Sequence, residues 1–247
     1  MAASSATRAA THSRARIDRA FTRRCRKLKA GESATQRRAR LLRALRYGAM
    51  FRRKPALPAP SDRWLVIGLG NPGREYERSR HNMGFLVIDE LARRHGARVT
   101  DRAARSLTGR VRLGDRELVL AKPQTMMNLS GVAAKALRAK YGVPLERTLV
   151  IHDELDLPFG RLRIRKGGSS AGNHGMDSLI ASFGSKDFIR FRVGIGRPPG
   201  NGVDYVLSPF TAAEQAQVPD VASRVADAVL VTIDQGLERA MTEFNRI

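Results

Sequence analysis

The sequence predicts an α/β fold, a single domain in which helices flank a mixed, mainly parallel sheet. Two observations predict it. Apolar runs of strand length alternate along residues 62–247 with stretches of helical periodicity, the pattern of crossover-connected βα units. A hairpin signal, Gly114-Asp115 between two alternating segments, adds an antiparallel pair to that sheet. There is no internal repeat.

Each element has its own local cause. Residues 64–69 form an apolar run bounded by glycine and read as a buried strand. Phe85, Ile88, Leu91 and Ala92 then fall on one helical face, with Arg93 and Arg94 opposite. "RVRLGDRELVLAKP" is the hairpin, closed by Pro123. "LSGVAAKALRAKYG" is helical, with Ser130 expected as its cap and Gly142 as its stop. "RTLVIHDELD" reads as a second buried strand and "RLRIRK" as an alternating one. A short helix over 176–183 precedes the strand "RFRVGIG". "GRPPGNGVDYVLSPF", residues 196–210, reads as a Gly/Pro-rich surface loop. Thr211 and Glu214 have capping-box spacing and open a helical tail, which Pro219 is expected to restart.

Charge divides the 247 residues in two. The chain carries 45 Lys+Arg against 23 Asp+Glu, a formal +22, yet residues 1–60 alone hold 17 basic and 2 acidic side chains. Residues 1–61 are therefore a basic leader, expected to be disordered, and 62–247 a moderately basic body, read as one domain. Three readings of the leader stay open: an organellar transit peptide, an arm attracted to nucleic acid, and a start-site artefact near Met50. Cys25, the one cysteine, lies in it, so the body has no disulfide and no thiolate for catalysis or metal binding. Nothing approaches the ~20 apolar residues of a membrane span. The expectation is a cytoplasmic protein with no membrane partner, or a mitochondrial or plastid one if the leader is a transit peptide.

Two motifs invite enzymatic readings that their context refuses. "WLVIGLGNPGREYERSRHN", residues 64–82, contains G-x-G-x-x-G after a strand. A dinucleotide site needs those glycines to open a helix, with an acid about 20 residues on for the ribose. Here "REYERSRHNMG" shows no apolar periodicity, and Asn71-Pro72 stiffens a turn. "GSSAG", residues 168–172, resembles a serine-hydrolase elbow with Ser170 as nucleophile, but the acid and histidine do not follow in the required chain order.

Other polar residues converge better. In open α/β sheets, ligands sit beyond the carboxyl ends of strands. Asn71 follows the first strand, Asn128 the hairpin, and Asp153 the apolar run 149–151, while His81 lies between the first strand and its helix. An imidazole beside a carboxylate suits proton abstraction from water, and asparagine amides can hold a carbonyl or a developing oxyanion. Singly each has an ordinary explanation: a turn former, a helix cap, a solvated acid beside Glu154 and Asp156, a surface loop histidine. Their gathering at one sheet edge favours a site. Arg161, Arg163 and Arg165 alternate along one strand and share a face, either a phosphate track or a solvated edge.

Four blocks now resemble a known family in order and spacing: "VIGLGNPGREYERSRHNMGFLVIDELA", "KPQTMMNLSG", "VIHDELDLPFGRLRIRKGGSSAGNHG" and "FRVGIGRP". They are similar to the signature blocks of bacterial-type peptidyl-tRNA hydrolase, over about residues 63–247. The resemblance implies a monomeric esterase with no metal and no cofactor, which cleaves peptide from the terminal ribose of peptidyl-tRNA. By it, His81 is the catalytic base and Asp153 the carboxylate that orients it. Asn71 and Asn128 grip the peptide backbone, and Tyr76 and Met127 line the channel. Arg165, with Lys166 adjacent, and Arg192 hold the tRNA 5′ phosphate. Residues 196–210 form a lid. One block departs: where the family reads His-Asn-Gly, this chain reads Asn173-His174-Gly175, so the substrate contact passes to His174 or, by a local shift, to Asn173. The other functional class is a noncatalytic RNA-binding or splicing-factor relative of the same fold, which would not need the His81–Asp153 pair.

Overall fold

A computed structural model describes residues 62–197 and 202–246; the expected leader, 1–61, lies outside them. The chain runs β1 (Asp62–Gly68), α1 (Met83–Arg94), β2 (Asp101–Ala103), β3 (Ser106–Leu113), β4 (Arg116–Pro123), α2 (Ser130–Tyr141) and β5 (Thr148–Glu154). It continues through β6 (Leu162–Lys166), α3 (His174–Phe183), β7 (Ile189–Gly194), α4 (Gly202–Leu207), α5 (Ala212–Gln235) and α6 (Leu237–Phe244). The 7-stranded sheet has the order β2-β3-β4-β1-β5-β7-β6. Its middle strands, β4, β1, β5 and β7, are parallel, and both edges are antiparallel.

Side chains alternate across the sheet, which makes two cores. Val66, Leu149 and Ile151 face α1, α5 and α6, through Val87, Leu91, Val225, Val229 and Phe244. Leu65, Ile67 and Val150 face α2 and α3, through Leu137, Met176 and Leu179. Burying each such Leu, Ile or Val contributes roughly 1.5–3 kcal/mol. The register of β1 against its neighbours, Ile67↔Ala121 and Gly68↔Ile151, brings the carboxyl ends of β4, β1 and β5 level. The segments that leave those ends therefore meet at one edge.

The glycines of the G-x-G-x-x-G motif find their explanation here. A Cβ on Gly68 would collide with the carbonyl of Gly84, and one on Gly84 with the Leu69 main chain. Helix α1 thus crosses the end of β1 in backbone contact. Two 3-10 turns, Arg74–Tyr76 and Arg80–Asn82, occupy the place where a nucleotide-binding helix would start.

Four details differ from the sequence expectation. Ser130 caps nothing: a 3-10 turn, Met127–Leu129, leads directly into α2, and the Ser130 hydroxyl is buried without a partner. Pro219 does not restart the tail helix; α5 runs through it. The proline sits on the exposed face, where water can serve the carbonyl it leaves unbonded, while neighbouring Val218 and Ala222 keep the helix on the core. The tail breaks at Gly236 instead, at φ 92. Finally, Arg161 and Arg163 donate to the carbonyls of Asn245 and Arg246, so they fasten the chain's end to β6.

Candidate active site

A cleft of about 400 Å³ opens at the carboxyl edge of the parallel strands. His81 and Asp153 lie on its floor, Asn71, Met127 and Asn128 on one wall, and Asn173 and His174 on another. Val203, Val206 and Leu207 of α4 form an apolar roof.

The floor is built from a 3-10 turn. Such a turn has about three residues per revolution, so consecutive side chains leave it in three directions. Arg80, His81 and Asn82 do so, and all three are buried. Asn82 points back to β1: its Oδ1 accepts from Asn71 N at 2.7 Å and its Nδ2 donates to Asn71 O at 3.0 Å. His81 points to β5, with Nδ1 2.8 Å from Asp153 Oδ2. A carboxylate can only accept, so Nδ1 carries the proton and Nε2 carries the lone pair. Burial pushes the His81 pKa down, but the charge and hydrogen bond of Asp153 outweigh it and the net shift is above the ordinary 6.5. The preceding His152 is also buried, and burial holds it below 6.5; its Nδ1 bonds the Asp153 main-chain oxygen.

Asn71 and Asn173 are both oriented by a main-chain N–H, which can only donate. Asn71 Oδ1 accepts from Met127 N at 2.8 Å, so the donor half of its amide is what it offers the cleft. Asn173 is the N-cap of α3: its Oδ1 accepts from Met176 N at 3.1 Å, and its Nδ2 donates to Asp153 Oδ1 at 3.2 Å. Both oxygens of the buried carboxylate are thus held, one by the histidine and one by this amide. His174 is exposed on the cleft wall, as is Asn128.

The basic residues and Tyr76 stand outside the cleft lining. Tyr76 ends the first 3-10 turn, where its carbonyl accepts from the Ser79 hydroxyl. Arg165 and Lys166 end β6. Arg192 Nε bonds Glu154 Oε2 at 2.8 Å. Beside Arg165, in register on β7, lies Arg190, a residue the sequence does not single out. It is buried, faces the carbonyls of Ser169 and Lys186, and makes no salt bridge among the described residues. Burial, reinforced by Arg165 and Arg192, lowers its pKa to about 10. Ser170 does not line the cleft. No group of three His, Cys, Asp or Glu side chains among the described residues could hold a metal ion, and no described helix is long and apolar enough to cross a membrane.

Residues 65–247 of the chain match a family model, that of peptidyl-tRNA hydrolase. The chain belongs to the peptidyl-tRNA hydrolase family. The peptidyl-tRNA hydrolase of Carboxydothermus hydrogenoformans is 46% identical over 184 residues, which cover 74% of this chain and 98% of that protein. That of Chloroflexus aurantiacus is 49% identical over 185 residues, with the same coverage of 74% and 98%. Among solved structures, peptidyl-tRNA hydrolase from Acinetobacter baumannii superimposes with a TM-score of 0.70 at 30% identity, covering 74% of this chain and 94% of that one. Family membership and superposition agree on the fold: one α/β domain on a mixed sheet.

Proposed function

We propose that this chain hydrolyses the ester between a peptide and the terminal ribose of tRNA, recycling tRNA after premature release from the ribosome. The observation that carries this reading is the buried His81–Asp153 pair beneath two asparagine amides. The relatives are named as hydrolases, and a noncatalytic RNA-binding protein would have no use for such a pair.

The chemistry follows from the protonation pattern. His81 Nε2 takes a proton from water as the water oxygen attacks the ester carbonyl. The carbonyl π pair moves onto oxygen, where the amides of Asn71 and Asn128 meet the developing charge; one such donor is worth roughly 10²–10³ in rate. The tetrahedral intermediate collapses with cleavage of the bond from acyl carbon to ribose oxygen, and the imidazolium returns its proton to that oxygen. Asp153 stays charged throughout and holds the ring in one tautomer.

Around this centre, Met127 and the apolar roof would receive the peptide, with Tyr76 toward the entrance and His174 in place of the family's amide. Arg165, Lys166 and Arg192 would hold the 5′ phosphate, with Arg190 adding an unneutralised charge behind them. We place the activity in the cytoplasm and in a monomer; sequencing of the mature amino terminus and light scattering check both. The direct test is peptide release from purified peptidyl-tRNA by the parent and by His81→Ala. The parent should release peptide, and the variant should be slower by about 10²–10⁴-fold. A parent that releases none ends this reading.

A further inference from the structure

The mechanism leaves one buried charge unused. Arg80 precedes the base in the same 3-10 turn and is 3% exposed. A guanidinium taken out of water persists only where its charge and its donors are met. Here the charge and the Nη donors are met by the segment that roofs the cleft and opens α5, while the buried Nε has no hydrogen-bond partner among the described residues. Nη1 donates to the Ser208 hydroxyl at 3.0 Å and to the Pro209 carbonyl. Nη2 reaches Glu214 Oε2 at 2.5 Å. Arg80 Cζ lies over the Tyr205 ring, 4.3 Å from its centroid, and over that of Phe210 at 5.4 Å.

The main chain repeats the connection. Arg80 N donates to Ser208 O at 3.1 Å, and Ser79 and Pro209 form an isolated antiparallel bridge. The roof is also tied to the sheet, since Tyr205 Oη donates to Ile195 O at 2.7 Å. Glu214 does double duty, because the same Oε2 accepts from Thr211 N at 2.7 Å and so closes the capping box of α5. Roof, sheet and the start of α5 therefore converge on a side chain one residue from His81.

We propose that Arg80 is a positioning residue that couples the roof helix to the catalytic histidine, so that the apolar roof and the base keep one register. The inference rests on the proposed hydrolase reading. Through the 3-10 turn, a displacement of the Arg80 side chain rotates His81 relative to Asp153; through Tyr205, Ser208 and Pro209, it shifts Val203, Val206 and Leu207 over the cleft. A residue of this kind affects turnover and substrate affinity together, whereas a residue that only lines the roof affects affinity alone.

The test uses Arg80→Lys, which keeps a charge for Glu214 but loses the forked donors and the stacked plane, together with Tyr205→Leu, Tyr205→Phe and Val203→Ser. Arg80→Lys and Tyr205→Leu should each lower kcat on peptidyl-tRNA by about tenfold and raise KM, and the double variant should be no worse than the worse single one. Tyr205→Phe keeps the stacked ring and should recover most of the loss. Val203→Ser should raise KM with little change in kcat. Nitrogen-detected imidazole spectra of the substrate-free protein supply a readout independent of activity. The His81 ring signals should shift in Arg80→Lys and Tyr205→Leu while those of His95, distant from the turn, hold still. Loss of thermal stability with parental kinetics and unmoved His81 signals would overturn the coupling, as would defects that multiply in the double variant. A parent without peptide release would end the hydrolase reading, and the imidazole spectra would still decide whether Arg80 positions His81.

Discussion

Replacing Asp153 by Asn preserves size and shape and removes charge, and the structure shows why the exchange should be severe. Both carboxylate oxygens accept: Oδ2 from His81 Nδ1 at 2.8 Å, and Oδ1 from Asn173 Nδ2 at 3.2 Å. An amide has one accepting end and one donating end. If its oxygen faces His81, its NH2 confronts the NH2 of Asn173, whose orientation the Met176 N–H determines. If it turns over, its NH2 donates to Nδ1 and drives the ring proton onto Nε2, the atom that must be bare. Either arrangement removes most of the general-base contribution, about 10²–10⁴-fold in kcat, equivalent to roughly 3–5 kcal/mol of barrier. The pH profile should move as well. In the proposed mechanism the neutral imidazole is the active form, and its pKa lies above 6.5, so the parental rate should climb as pH rises through that pKa and then level off. Without the carboxylate charge, burial acts unopposed and the acid limb falls below 6.5. Single-turnover release of peptide from purified peptidyl-tRNA, measured across the neutral range with enzyme in excess, reads both effects. Parental rates in Asp153→Asn, or an acid limb that does not move, would refute the assignment of base and orienting acid.

Three further outcomes are expected. Asn173→Ala should lose the α3 cap, a cost of about 1 kcal/mol, and also slow turnover; Asn173→Ser should restore the melting temperature but not kcat, because a serine hydroxyl reaches Met176 N and falls short of Asp153. Binding of tRNA should weaken steeply with salt, and Arg165→Ala should flatten the log–log slope by about 0.7–0.9, as read by filter binding over a salt series; an unchanged slope would remove Arg165 from the phosphate contacts. Glu90 is held down at about 2 by its hydrogen bonds with Arg93 and Arg94, and Arg94 in turn reaches Asp227 and Ser223 of α5. A depressed carboxylate stabilises the fold above its ordinary value of 4.5 and loses that contribution as pH falls toward 2. Urea melts at a series of acidic pH values should therefore show a shallower loss for Glu90→Gln than for the parent.

What was legible in the sequence was what a local signal carries. The alternation of buried strands, the α1 face built on Phe85, Ile88 and Leu91, and the Gly114-Asp115 turn all read directly. Strand β2 did not, because it is only Asp101–Ala103 and its turn uses Ala104 and Arg105 at φ 48 and 57, where glycine or asparagine would have marked it. Helix α4 hid inside a Gly/Pro-rich stretch, since six residues are too few to show a period. At the candidate site, the strand ends marked Asp153, Asn71 and Asn128, and the gap between the first strand and its helix marked His81; the four line one cleft. Asn82 and Arg80 were missed for a common reason: each acts on a distant segment, and the only hint was that they flank the histidine. Three consecutive polar residues in an extended loop would be solvated; in a 3-10 turn each side chain is buried and reaches a separate partner.

The exchanged pair Asn173-His174 shows how far chemistry, rather than residue identity, constrains such a wall. The first position must end a loop as an N-cap and also donate to Asp153 Oδ1. Asparagine meets both demands with one amide, its oxygen on Met176 N and its nitrogen on the carboxylate. The second position, the first residue of α3, carries no such double demand: it is exposed and faces the cleft, where an imidazole can give or take a hydrogen bond as an amide can. The exchange therefore places the group with two opposed ends where two opposed partners wait, and leaves the more adaptable ring exposed on the cleft wall, where the proposed function puts the substrate. On this logic the reverse order, made by Asn173→His with His174→Asn, should keep activity only if the new ring at 173 can cap α3 through one nitrogen and donate to Asp153 through the other. Imidazole in its neutral form has one acceptor and one donor, as that geometry requires, but a protonated ring has two donors and would uncap the helix. The double variant should accordingly lose turnover and thermal stability together as pH falls through the titration of its new histidine, a pH-linked loss of the cap that the parent, with its untitratable amide, should not show.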